Sequence, residues 1–146
     1  MTASAAPPGS EVRSNDPEFE LDVVASVSAE YPAHVGSPRA ARHFVSDEMR
    51  KWGFSREVRD EAELVVTELA ANAVLHAKSE FSILLRAASE VVRIAVHDTM
   101  PVDPALLVVR PGRGLGLVSG LARDWGVDVT AAGKTVWAEI DATYPG

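Results

Sequence analysis

Residues 61–77 read EAELVVTELAANAVLHA. The stretch is rich in Ala, Leu, Val and Glu, and neither Gly nor Pro interrupts it, so it predicts a helix. Val58, Ala62, Val65, Leu69, Ala73 and Ala77 recur at three- and four-residue steps and make one apolar stripe. Glu61, Leu64, Glu68, Asn72 and His76 form a neighbouring stripe. Glu68 and Asn72 are one turn apart, so their side chains leave the helix on the same side. Asn is a poor interior helix residue, because its amide competes for backbone hydrogen bonds. Two readings are open for the pair. It is a solvated helix edge, or it is a proton acceptor beside an amide oxygen that suits a hard cation such as Mg2+.

Working outward, Ser55 is placed to cap this helix, and Gly53 to stop the one before it. That earlier helix runs over Arg39 to Lys51, with Ala40, Phe44, Val45, Met49 and Trp52 on one face, and Pro38 is placed to open it with Ser37 as its cap. Glu20 to Ser28, ELDVVASVS, alternates in part and predicts a strand. After Ala77 the period falls towards two. Glu80 to Ala87 and Val91 to Asp98 read as strands joined by the short link Ala88-Ser89-Glu90, hence an antiparallel hairpin. Thr99 to Arg113 holds Pro101, Pro104 and Pro111 and predicts a loop. A helix over Leu115 to Arg123 follows. Gly126 to Thr130 and Lys134 to Ile140 then make a last hairpin that turns at Ala131-Ala132-Gly133. Helices do not strictly alternate with strands. The expected class is therefore α/β (α+β): a two-layer sandwich with a mixed, mostly antiparallel sheet and its helices on one face.

Composition narrows the function classes. The chain has 146 residues, enough for one domain with a real core, and 47% hydrophobic residues. Residues 1–18 are Ala, Pro, Ser and Gly with scattered charge and read as a disordered tail, leaving 19–146 as the domain. The start lacks the basic and apolar regions of a secretion signal, and no apolar run is long enough for a membrane span. Cysteine is absent, which excludes a disulfide framework and a thiolate metal site. A cytoplasmic location is the simplest expectation. A net charge of -7 argues against direct nucleic-acid binding, though not against a nucleotide held by a few local donors.

Gly112-Arg113-Gly114-Leu115-Gly116 is the strongest local signal outside the central helix. Missing Cβ atoms let backbone N–H groups approach a ligand, a helix start adds free donors, and Arg113 adds a cation. The plainer reading is a flexible turn with a close helix–sheet contact. Asp98 ends a strand before a Pro-containing loop. It is either a turn-forming residue or an acceptor for an exocyclic amine such as that of adenine. Two lookalikes fail. Gly133-Lys134-Thr135 resembles the end of a phosphate-binding P-loop, but Asp128 stands where its first glycine belongs, and a strand follows instead of a helix. Gly114-Leu115-Gly116 lacks the third glycine of a dinucleotide fingerprint. His76 and His97 have no paired ligand spacing, and Trp52, Trp125 and Trp137 read as packing residues.

Taken together, ELAANAVLHA, VHDTMP, GRGLGL and GKTVWAEI resemble, in order and spacing, the motifs of the GHKL ATP-binding superfamily. The nearer similarity is to its bacterial anti-sigma-factor branch, the serine-protein kinases that switch sigma factors. The resemblance runs from about Leu21 to Ile140. It implies an open sandwich with ATP between the helices and a lid loop, here Thr99 to Arg113. It further implies Glu68 as general base, Asn72 as the Mg2+ ligand, and Asp98 and Thr135 at the adenine. Gly112, Arg113, Gly114, Leu115 and Gly116 would lie at the phosphates. The implied partners are an anti-anti-sigma (STAS-type) protein, whose Ser or Thr accepts the phosphoryl group, and a sigma factor. Many members of that branch form homodimers, an option the resemblance extends to this chain. One departure stands out: Met100 and Val102 occupy places that are usually glycine after the aspartate. It motivates a second expectation, a partner-binding module of the same fold with weak or no kinase activity. A phosphatase or a histidine-kinase fragment fits less well, because no preceding dimerisation helix with a phospho-acceptor His is seen.

Overall fold

A computed structural model describes residues 19, 22–76, 80–99 and 120–146 of the chain. Five strands and two helices are resolved in it: β1 (Ala25–Tyr31), α1 (Ser37–Lys51), α2 (Arg56–His76), β2 (Phe81–Ala87), β3 (Val91–Asp98), β4 (Asp124–Thr130) and β5 (Gly133–Asp141). The strands form one sheet in the order β1-β2-β3-β5-β4, and every neighbouring pair among the described residues is antiparallel. The expected tail 1–18 and the loop beyond Thr99 fall outside the described residues, as does the glycine-rich turn.

The central helix forms where the apolar period places it. Ser55 Oγ accepts the Val58 N–H at 3.3 Å, which satisfies one of the donors left over at the start of α2. Ala62, Val65, Leu69 and Ala73 are buried, joined by Val66 and Ala70. They face Ile83 and Leu85 of β2, Ile94 and Val96 of β3, and Val136, Ala138 and Ile140 of β5. Each Val or Leu so buried contributes about 1.5–3 kcal/mol.

α1 closes the layer beside α2. Its first residues differ from expectation. Ser37 is not the cap: Gly36 holds the capping position without a side-chain bond, and the Ser37 hydroxyl donates to the Pro32 carbonyl at 2.7 Å. The carbonyl of Pro32, five residues before Ser37, takes the hydroxyl that would otherwise turn to cap the helix's first amides. At the other end, Gly53 takes φ +94, Gly53 N–H donates to Arg50 O, and Phe54 N–H donates to Met49 O. That paired closure is how a left-handed glycine ends a helix.

The first strand lies further along than Glu20 to Ser28. β1 begins at Ala25 and runs to Tyr31, where the Tyr31 ring stacks on Phe81 with centroids 5.7 Å apart. Strand alternation decides the register: Ala25, Val27 and Tyr31 pack on the core, whereas Val24 is exposed. The last hairpin is tighter than expected. Gly133 pairs with Thr130, so only Ala131 and Ala132 turn the chain. Of the helix expected over 115–123, Gly120 and Leu121 are described and helical, and β4 starts at Asp124.

The sheet's second face is polar but also covered. Arg93 donates to Glu139 from Nε at 2.8 Å and again from Nη2, and both residues are buried. The Phe19 ring lies over Arg93 at 4.2 Å and over Arg86 at 5.0 Å, and Trp137 flanks Arg93 from 5.0 Å. Burial lowers the pKa of Arg86, the like charge of Arg93 lowers it further, and Glu139 pulls it back.

Gly133 carries a structural demand. Its φ is +133, and a Cβ there would come within 2.7 Å of Thr99 Cα and meet the Asp98 carbonyl. Only glycine allows that backbone approach. Gly133→Ala is expected to cost about 1–3 kcal/mol or more. Urea denaturation checks it, and a midpoint equal to that of the unaltered chain would contradict the strain.

Candidate functional site

Of the described candidates, Asp98, Glu68 and Asn72 lie toward one end of the sheet. Asp98 is the last residue of β3, and its register partners are Phe81 on β2 and Lys134 on β5. The link 77–80 ties the last turn of α2 to Phe81. Five peptide steps reach at most about 18 Å. The C-terminal turns of α2, which carry Asn72 and Glu68, therefore lie at the same end of the molecule as Asp98.

Glu68 and Asn72 are both half-buried, on the flank between the buried stripe of Leu69 and Ala73 and the exposed positions Leu64, Ala71 and Leu75. That border is where a polar side chain is anchored yet can reach a ligand. Neither extreme holds: the pair is not in the core, and it is not fully in solvent.

Asp98 is 1% exposed and sits on the helix-facing side of the sheet, in line with Val96, Ile94 and Val92. A carboxylate in that row is costly to bury unless it meets compensating charge or donors. Lys134 supplies part of the compensation, with Nζ 3.8 Å from Asp98 Oδ2. Lys134 is itself buried and continues the inward row of Val136, Ala138 and Ile140. The main chain at Gly133 presses against Asp98 and Thr99 and holds the two strand ends together.

Thr135 lies elsewhere. Strand side chains alternate, so it points to the face opposite Asp98. There its Oγ1 hydrogen-bonds His97 Nδ1 at 2.8 Å. The residue that the strands bring to Asp98 is Lys134, which the sequence reading passed over with the P-loop lookalike. Parity was the available signal: Lys134 is two, four and six residues before the inward-facing Val136, Ala138 and Ile140. His97 has Thr135 as its hydrogen-bond partner. Gly112, Arg113, Gly114, Leu115 and Gly116, together with Met100 and Val102, are outside the described residues.

No group of three or more His, Cys, Asp or Glu side chains able to hold a metal occurs among the described residues. Asn72 offers a single carbonyl oxygen. This donor set fits Mg2+ only as the ion commonly binds in phosphate sites, with one or two protein ligands and the remaining oxygens from phosphates and water. No helix among the described residues is long and apolar enough to cross a membrane.

The sequence model of the histidine kinase-like ATPase domain matches residues 31–140. A search of curated proteins found no match. Among solved structures, the fold is similar to the RsbU and RsbW domains of Rv1364c from Mycobacterium tuberculosis, with a TM-score of 0.65 and 18% identity. The similarity covers 84% of this chain and 34% of that one, so the chain spans about a third of its length.

Proposed function

Because the chain belongs to the histidine kinase-like ATPase domain family, we propose that it is an ATP-binding regulatory protein of the anti-sigma type. In this reading it is a serine/threonine protein kinase. It transfers the γ-phosphoryl group of ATP to a Ser or Thr of an anti-anti-sigma (STAS-type) protein, and it holds a sigma factor when that partner is phosphorylated. It works in the cytoplasm, and a homodimer is compatible with the reading. The fold likeness to a chain containing an RsbW domain is in keeping with it.

The observation that carries the proposal is the buried carboxylate of Asp98 at the helix-facing sheet end, locked by Gly133 and served by the same end of α2 as Glu68 and Asn72. Asp98 accepts a hydrogen bond from the exocyclic amine of the base. Glu68 takes the proton from the acceptor hydroxyl as its oxygen bonds to the γ-phosphorus, and the bond to the β-phosphate oxygen breaks to release ADP. Asn72 would hold Mg2+ by its side-chain oxygen, and the bound ion would offset charge on the phosphate oxygens. Arg113 and the amides of Gly112, Gly114, Leu115 and Gly116 complete the phosphate grip in this reading. Sigma factor and acceptor then compete for one protein, and phosphorylation decides which is held.

The test is incubation with γ-labelled ATP, Mg2+ and an anti-anti-sigma protein. Label on a Ser or Thr of the acceptor supports the kinase. A protein that binds the partner but shows no thermal shift with millimolar ATP supports the partner-binding module instead. The departure at Met100 and Val102 is what favours that second reading.

Mg2+ binding should depend on nucleotide, since Asn72 alone is a poor cation site. Calorimetric titration of MgCl2 is expected to give specific heat only with ADP or ATP present. Saturable binding to the nucleotide-free chain would remove Asn72 from the role given to it.

A further inference from the structure

The end of the site that reads the base holds a cation that the transfer scheme leaves unused. Lys134 is 6% exposed and lies on the same side of the sheet as Asp98. An inward Met or Leu would continue the apolar row of Val136, Ala138 and Ile140 without the penalty of burying a charge. Pairing with Asp98 does not use up its ammonium. The separation of 3.8 Å is an ion-pair distance, longer than a hydrogen bond, and a lysine carries three donors. The position is well defined, because Asp98 and Lys134 are register partners and Gly133 presses the two strand ends together.

Resting on the ATP-binding reading above, we infer that Lys134 is a specificity residue, whose ammonium donates a hydrogen bond to the N1 acceptor of adenine while Asp98 accepts from the exocyclic amine. The edge of adenine presents a donor, the amine, directly beside an acceptor, the ring nitrogen. A carboxylate and an ammonium side by side on neighbouring strands offer the complementary order, acceptor then donor. Guanine presents an oxygen acceptor where adenine has the amine and an N–H where adenine has the lone pair. In the same orientation it sets acceptor against acceptor and donor against donor. Adenine is therefore the base this pair selects.

The test compares ADP with 1-deaza-ADP, which keeps the amine and lacks the ring acceptor, by calorimetry on the full chain. A hydrogen bond to a charged group is worth about tenfold or more in affinity. The unaltered chain is expected to bind 1-deaza-ADP about tenfold or more weakly than ADP. Lys134→Met is expected to bind both alike, near the weaker value. ADP and 1-deaza-ADP binding equally to the unaltered chain would overturn the inference and leave the ATP-binding reading standing. A gain of ADP affinity in Lys134→Met would also overturn it, because the lysine would then be a plug. GDP binding more tightly than ADP would overturn the adenine assignment. Absence of binding by every nucleotide would sink this inference together with the reading it rests on. The analogue comparison needs only the unaltered chain, so it decides the matter even if Lys134→Met does not fold.

Discussion

Glu68→Gln is expected to lower phosphotransfer to the acceptor protein by about a hundredfold or more and to leave ATP affinity close to that of the unaltered chain. The substitution keeps the shape of the side chain and removes its basicity. Glu68 is half-buried on the flank of α2, and the packing of the helix is carried by Ala62, Val65, Val66, Leu69, Ala70 and Ala73. The fold therefore has no reason to fail, and a thermal melt matching that of the unaltered chain is the expected control. In the proposed scheme base reading belongs to Asp98 on β3, which the substitution leaves untouched. The expected pattern is a fall in kcat with little change in the apparent affinity for ATP, as when an interaction made in the transition state is lost. Unchanged transfer would remove Glu68 from the mechanism. A loss of nucleotide binding equal to the loss of rate would assign Glu68 to binding instead.

Arg93→Ala is expected to be the most destabilising single change discussed, at about 3–5 kcal/mol. Arg93 is 1% exposed and bonds Glu139 through two nitrogens, between the rings of Phe19 and Trp137. Truncation strands the Glu139 carboxylate. Among the described residues, Arg86 stays close enough for its charge to act on Glu139, and the part-exposed Arg123 has its Nε 4.0 Å from Oε1 and also serves Asp141. Domains of this kind are stable by about 5–15 kcal/mol, so the loss takes a large share. Urea denaturation measures it. Removing both charges together, as Arg93→Met with Glu139→Met, should recover much of the stability, because no charge is then left buried alone. A loss under about 1 kcal/mol for Arg93→Ala would be the value of an exposed pair and would contradict the buried one.

The parts of the fold that were legible in the sequence are those in which local chemistry and tertiary packing agree. The stripe from Ala62 to Ala73, the cap at Ser55, the stop at Gly53 and the hairpin of β2 and β3 all follow from periodicity and turn residues. The first strand was misplaced because Val23 and Val24 look like strand residues in isolation. Pairing with β2 and the stacking of Tyr31 on Phe81 decide its true span, and both are long-range. Ser37 lost its capping role to a carbonyl five residues away, which no local pattern reveals.

At the proposed site, positions were legible. Helical spacing put Glu68 and Asn72 on one flank of α2, and Asp98 was read at a strand end, which is where the structure has them. Thr135 and Lys134 are adjacent in sequence but face opposite sides of the sheet, so a slip of one residue exchanges a neutral hydroxyl for a buried ammonium. The Arg93–Glu139 pair joins two strands far apart in the chain, and nothing near either residue announces it.

The central claim is that a nucleotide binds at the end of the sheet where β3, β5 and the last turns of α2 meet. Titration of the isotope-labelled chain with ADP and Mg2+, followed by amide resonances, tests it most directly. The expected result is saturable change concentrated at Asp98, Thr99, Gly133, Lys134 and the α2 turns bearing Glu68 and Asn72, with Ser89, Glu90 and Arg93 unmoved. Change centred on Arg93, Glu139 and Trp137, or no change at millimolar ADP, would contradict the account.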